Sequence, residues 1–193
     1  MMENITKYLY EMGQLKRVKR SGWWMAGITD PESVAEHSFR TAIIGYILAS
    51  VEGADPTKTA TMCLFHDAPE ARINDLHRTA RHYIDVESGE TRARLEQVER
   101  LPPQTANEVM ALLEDYEEQH SSEAQLARDA DLLECLIQAR EYQTQGYVHV
   151  QEWIDNCRAA LKTEIARKIA ATCLNVEPGE WWQGLNKIAR ERK

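Results

Sequence analysis

The chain has 193 residues, 43% of them hydrophobic, which suits one domain with a real core and excludes a disordered segment. Its 23 Lys and Arg against 31 Asp and Glu leave a formal charge of −8 at pH 7, so its overall field does not recruit a nucleic acid polymer or an anionic membrane. A local basic pocket for a small anion remains compatible with that balance.

The opening stretch MMENITKYLYEMGQLKRVKR has neither the apolar core nor the cleavage site of a signal peptide, and no apolar run reaches the ~18 residues of a membrane span. Asp30 is expected to cap a helix with Pro31 at its first position. Val34, Ile43, Ile44, Ile47, Leu48 and Val51 then recur on one helical face. Asp55 and Pro56 repeat the device, and Pro69 is expected to end or bend the second helix just past an adjacent His66-Asp67 pair. Residues 71–84 read as loop and 85–100 as an exposed charged helix. Pro102-Pro103 opens another helix. Ser122 with Gln125 predicts a capping box for a long helix that Gly146 closes. A helix over about 150–173 and a short tail helix with Trp181 and Trp182 follow. No stretch alternates with period two, so the expected fold is all-α: one domain over 1–193, a helical bundle. The four cysteines, Cys63, Cys135, Cys157 and Cys173, are widely spaced without C-x-x-C. They read as free thiols in a reducing compartment, which places the chain in the cytoplasm.

The segment LFHDAPEA puts an imidazole and two carboxylates at the end of an apolar run. His37 and Asp131 likewise sit among apolar neighbours on expected helices. An ionised carboxylate buried at such a place is costly without a partner, and a cation is one such partner. Two imidazoles and two carboxylates offer mixed nitrogen and oxygen donors. That set suits Mn, Fe, Co, Ni or Zn better than calcium. Taken singly, each of these residues also fits a structural, hydrogen-bonded or salt-bridged role, so spacing alone leaves the site open.

The order of the segments LKRVKRSGW, PESVAEHS, LFHDAPEARINDL and ARDADLLECLIQAREY, spread over about residues 14–145, resembles the HD-domain metal-dependent phosphohydrolases, in their 5′-deoxynucleotidase-like branch. Residues 150–193 match least. The resemblance implies one divalent metal ion held by His37, His66, Asp67 and Asp131. It implies catalytic roles for Glu70 and Asp75, with Glu70 either protonating the leaving oxygen or orienting the attacking water. It implies a phosphate contact from Arg20 and a sugar pocket walled by Trp23, or by Trp24. Arg78 and Arg81, with His82, form a second basic cluster that reads equally as a phosphate-binding loop or a surface patch. The implied substrate is a small phosphomonoester, a nucleoside 5′-monophosphate. The implied assembly is a homodimer, with Trp181 and Trp182 as a contact surface. Asn74 stands where the family commonly has glycine, so an altered loop is expected before Asp75. Two other readings stay open: a di-iron oxygenase, which needs further histidines, and a non-catalytic domain stapled by the metal.

Overall fold

The computed structural model describes residues 1–185; residues 186–193, the end of the expected tail, lie outside the described residues. The described chain is helical throughout, with α1 (Met2–Met12), α2 (Gly22–Met25), α3 (Val34–Glu52), α4 (Pro56–Phe65), α5 (Glu70–Ile73), α6 (Arg78–Arg81), α7 (Val86–Val98), α8 (Pro103–Glu118), α9 (Ser122–Thr144), α10 (Gln151–Ala160) and α11 (Glu164–Cys173). Among the described residues the sole extended pairing is one antiparallel bridge between Lys19 and Ser33. No described helix is long and apolar enough to cross a membrane. All four cysteines are free.

At the centre, α9 packs against α3, α4, α8, α10 and α11. Its Leu126, Ala130, Leu133, Leu136 and Ala139 enter one core with Leu48 of α3 and Met62 and Cys63 of α4. The α3–α4 contact is close because residue 45 is glycine. A Cβ there would stand 2.8 Å from Cys63 Sγ and 3.2 Å from Thr59 Cγ2, so a side chain would push apart the two helices that carry the site.

Several helix boundaries differ from expectation, each for a local reason. Helix α3 starts at Ser33, not Asp30. Residues 30–32 lie outside any helix, Ser33 is extended in its bridge to Lys19, and Ser33 with Glu36 forms a capping box. Helix α3 buries Val34 and Leu48 but leaves Ile43, Ile47 and Val51 exposed, so part of its expected core face is open. Ser121 rather than Ser122 caps α9, because Asp115 accepts both its N–H and its hydroxyl. Helix α7 is not merely exposed: Val86, Ala93 and Val98 are buried beneath it. The helix expected over 150–173 breaks at Leu161–Thr163. There the fully buried Asp129 of α9 accepts the N–H groups of Lys162 and Thr163 and the Thr163 hydroxyl, at 2.9, 2.7 and 2.6 Å. Trp181 and Trp182 lie on a single 3₁₀ turn and are exposed.

The expected loop 71–84 contains two one-turn helices, α5 and α6. Between them Asn74 takes φ 63° and ψ 164°, the conformation a glycine would supply. The backbone course suited to glycine is therefore kept and carried under strain. Asn74→Gly is expected to raise stability by about 1 kcal/mol, since relief of roughly 1–3 kcal/mol of strain exceeds the entropic cost of glycine. Denaturant unfolding checks this; an unchanged or lower midpoint refutes stored strain at Asn74.

Candidate metal centre and active site

Two helices and one turn bring the four central side chains together. His37 lies one turn inside α3, Asp131 lies in the first half of α9, and His66-Asp67 follow the last residue of α4. The expected helix thus stops one step early, and the His-Asp pair sits in the turn that Pro69 completes before α5. His37 is fully buried, and only 17% of the Asp67 and 15% of the Asp131 side chain is exposed. His37 Nε2 lies 3.2 Å from Asp131 Oδ1 and 3.7 Å from Asp67 Oδ2. His66 Nε2 lies 3.2 Å from Asp67 Oδ2 and 4.0 Å from Asp131 Oδ1.

These separations fit a shared cation. Donors about 2.1 Å from one ion lie about 3.0 Å apart at right angles and about 4.2 Å apart when opposite. The His66 tautomer adds a second argument. Its Nδ1 donates to the Cys63 carbonyl at 2.8 Å, so Nε2 presents a lone pair. That buried Nε2 makes no hydrogen bond and faces the Asp67 carboxylate at 3.2 Å, an arrangement that needs positive charge, either on the ring or between the two groups. Burial and Arg20 push the His37 imidazole down, yet Glu134 and Asp131 outweigh them and raise it to about 10. Burial raises Asp67 and Asp131, but the two imidazoles, with Arg20 beside Asp67 and Arg128 beside Asp131, hold both well below the usual carboxylate range. The cluster calls for positive charge.

Around this centre the remaining expected residues fall into three groups. Glu70, the first residue of α5, is 4% exposed, and its Oε2 has no hydrogen-bond partner. Burial, then the charges of Asp67 and Asp75, push its carboxyl well above the ordinary glutamate value. Arg20 Nη1 lies 3.1 Å from Asp75 Oδ2 and 3.5 Å from Asp67 Oδ2. Asp75 also accepts from Ser21 Oγ at 3.0 Å, and that oxygen accepts the His77 N–H. Glu70, Arg20 and Asp75 therefore belong to one constellation with the donors.

Trp23 does not present a wall to solvent. It is 2% exposed, edge-on to Tyr142 at 5.2 Å, and its Nε1 donates to Glu32 at 3.0 Å. It is a core residue, while its neighbour Trp24 is exposed. A polar cavity of about 340 Å³ opens beside the centre, lined in part by His66, Asp67, Glu70, Arg81, Tyr116 and Arg128. Arg81 is tied there to Glu90 at 2.8 Å, whereas Arg78 is exposed and does not line that cavity. A larger apolar groove of about 470 Å³, with Ile137, Ile169 and Trp181 on its walls, contains none of these residues.

The structure also brings in Glu134, which sequence reading missed, and pairs Asp131 with Arg128, which lies one turn before it in the sequence. Fully buried Glu134 accepts from His37 Nδ1 at 2.5 Å. Arg128 Nη1 donates to Asp131 Oδ2 at 3.0 Å. The available signal was spacing on α9: Arg128, Asp131 and Glu134 recur every three residues, on one side of the helix.

The HD domain profile matches residues 12–172. The chain is 30% identical over 187 residues to a 5′-deoxynucleotidase HDDC2 of Danio rerio, covering 88% of this chain and 92% of that one. It is 29% identical over 184 residues to the protein of the same name in Dictyostelium discoideum, covering 88% and 96%. A solved structure of a conserved hypothetical protein from Pyrococcus furiosus superposes with a TM-score of 0.74 at 31% identity, over 89% of this chain and 99% of that one. The profile match spans most of the chain, over a range that includes the buried His-Asp cluster, and a 30% identical relative is covered almost end to end: the chain belongs to the HD domain family.

Proposed function

We propose that the chain is a metal-dependent phosphohydrolase that releases phosphate from deoxynucleoside 5′-monophosphates. The observation that carries this reading is the convergence of His37, His66, Asp67 and Asp131 beside a buried Glu70 whose Oε2 has no partner. The names of the Danio rerio and Dictyostelium discoideum relatives support the substrate class.

His37, His66, Asp67 and Asp131 would hold one divalent ion among Mn, Fe, Co, Ni and Zn. Such an ion, when bound, offsets the charge of a phosphomonoester dianion and lowers the pKa of its bound water. Arg20 then meets a phosphate oxygen with a charge-assisted hydrogen bond. Asp75, fixed by Ser21, keeps the Arg20 guanidinium aimed. Glu70 holds its proton at the hydrolytic face and delivers it to the leaving sugar oxygen, the role that a raised carboxyl suits. Arg81, held by Glu90, adds a second cationic group to the wall of the polar cavity.

The di-iron alternative lacks support in the described residues. The two clusters of candidate ligands there are His37–His66–Asp67 and Glu32–His37–Glu134, and neither contains a third histidine. His77 instead caps α6.

The test is a metal-by-substrate screen of the chelator-stripped protein against deoxynucleoside and ribonucleoside monophosphates, nucleoside triphosphates and guanosine alarmones. Phosphate release from at least one deoxynucleoside monophosphate with Mn²⁺ or Co²⁺ is expected. No release from any monophosphate under any metal overturns the proposal. Two irons per chain without phosphatase activity would turn it toward oxygenase chemistry.

A further inference from the structure

We propose that Glu134 is the positioning residue of the metal centre and that Arg40 is its anchor, so that the His37 ring is fixed from behind by a carboxylate while the His66 ring meets only a neutral carbonyl. The inference rests on the cation site proposed above and extends outward from it.

Facing sides of α3 and α9 form a ladder. On α3 the rungs are His37 and Arg40; on α9 they are Asp131, Glu134, Gln138 and Glu141, spaced three or four residues apart so that they share one helical face. At the inner end, His37 Nε2 meets Asp131 while its Nδ1 meets Glu134 Oε2 at 2.5 Å. The other Glu134 oxygen accepts from Arg40 Nε at 2.9 Å and Nη2 at 2.8 Å. At the outer end, Arg40 Nη1 reaches both oxygens of Glu141, at 2.8 and 2.9 Å, and Nη2 donates to Gln138 at 2.6 Å. The chain Glu141–Arg40–Glu134–His37 therefore runs without a gap from partly exposed surface to the centre.

Two physical points make this a functional device more than a packing contact. A fully buried ion pair is a poor source of stability, because desolvation offsets most of its Coulomb attraction; an apolar pair of similar volume serves the core as well. The site also treats its two histidines differently. The Nδ1 of His66 meets a neutral carbonyl, that of Cys63, whereas the Nδ1 of His37 meets a carboxylate. A carboxylate behind a ligating imidazole fixes its tautomer, holds the ring still and increases its donor strength. Arg40 fixes the plane of that carboxylate through a forked contact to its second oxygen. His37 is on this account the dominant nitrogen donor.

The experiment is isothermal titration of Mn²⁺ into the chelator-stripped full chain, in wild type, Glu134→Gln, Arg40→Ala and Arg40→Lys. It is paired with nitrogen-resolved NMR of the imidazole rings in the Zn²⁺-loaded proteins. Glu134→Gln keeps shape and removes charge; Mn²⁺ affinity is expected to fall about 10- to 100-fold. Its His37 Nδ1–H resonance is expected to move upfield from the position of a strong carboxylate-bound proton. Arg40→Ala, at a partly exposed position that leaves Glu134 in place, is expected to weaken Mn²⁺ binding less, and Arg40→Lys to recover part of the loss. Affinity within twofold of wild type in both Glu134→Gln and Arg40→Ala overturns the proposal. A loss of affinity with an unmoved His37 ring proton overturns it too, because the effect then does not pass through that imidazole. If wild type itself binds no Mn²⁺ or Zn²⁺, the cation site fails instead, a result distinct from either of these.

Discussion

Asp67→Ala is expected to abolish phosphatase activity and to lower Mn²⁺ affinity by more than the roughly 10- to 100-fold that loss of an outer-shell partner costs. Asp67 Oδ2 is the atom nearest to both imidazoles at once, 3.7 Å from His37 Nε2 and 3.2 Å from His66 Nε2. Without it the remaining three donors keep two nitrogens and one carboxylate, and the charge opposing a divalent ion falls by one unit. The fold is expected to tolerate the change. Asp67 stands in a turn between α4 and α5, outside the apolar core that joins α3, α4 and α9. Its removal also relieves Glu70 of a neighbouring negative charge. Thermal unfolding with and without Mn²⁺ separates the two effects. Wild type should gain about 2.7 kcal/mol from metal at a hundred times its Kd, and Asp67→Ala should gain almost nothing. Equal protection of both proteins by Mn²⁺ would remove Asp67 from the site.

The cluster was legible in the sequence because its four side chains are chemically out of place: imidazoles and carboxylates set into apolar helical text, in the order of a known family. Their partners were harder to see. Glu134 lies inside ADLLECLI, where the apolar neighbours announce a core helix, and nothing local says whether this second charged residue points into that core or away from it. The structure turns it inward to His37. Trp23 is the converse case. Beside a basic run and a second tryptophan it reads as an open wall for a sugar, yet Glu32, Tyr142 and Trp153 surround it and bury it. Helix ends misled for a similar reason. Asp30-Pro31 is a good start signal, but Ser33 is extended in its bridge to Lys19, and the capping box at Ser33 wins. The break at Leu161 depends on Asp129, more than thirty residues away, and no reading of residues 150–173 alone contains it.

Glu70→Gln is expected to cut kcat by roughly 10²- to 10⁴-fold, the usual contribution of a positioned acid, or about 3–5 kcal/mol of barrier, while Mn²⁺ affinity stays near wild type. Metal binding survives because Glu70 is outside the donor set; turnover does not, because glutamine has no proton to give. The pH dependence gives the sign of the role. Burial first, then Asp67 and Asp75, raise the Glu70 carboxyl in the folded chain, so folding takes up a proton between the ordinary glutamate value and the raised one. In the metal-free protein that group costs stability as pH rises through the window, by up to about 1.4 kcal/mol per pH unit, and contributes no such penalty below it. Glutamine stays neutral across the window, so Glu70→Gln should be more stable than wild type at neutral and alkaline pH and match it near pH 4. An inactive variant with this crossing stability profile is what a buried acid predicts. A variant that keeps full turnover, or that loses stability evenly at every pH, would mean that Glu70 is an ordinary helix-end carboxylate and that the leaving oxygen takes its proton from elsewhere.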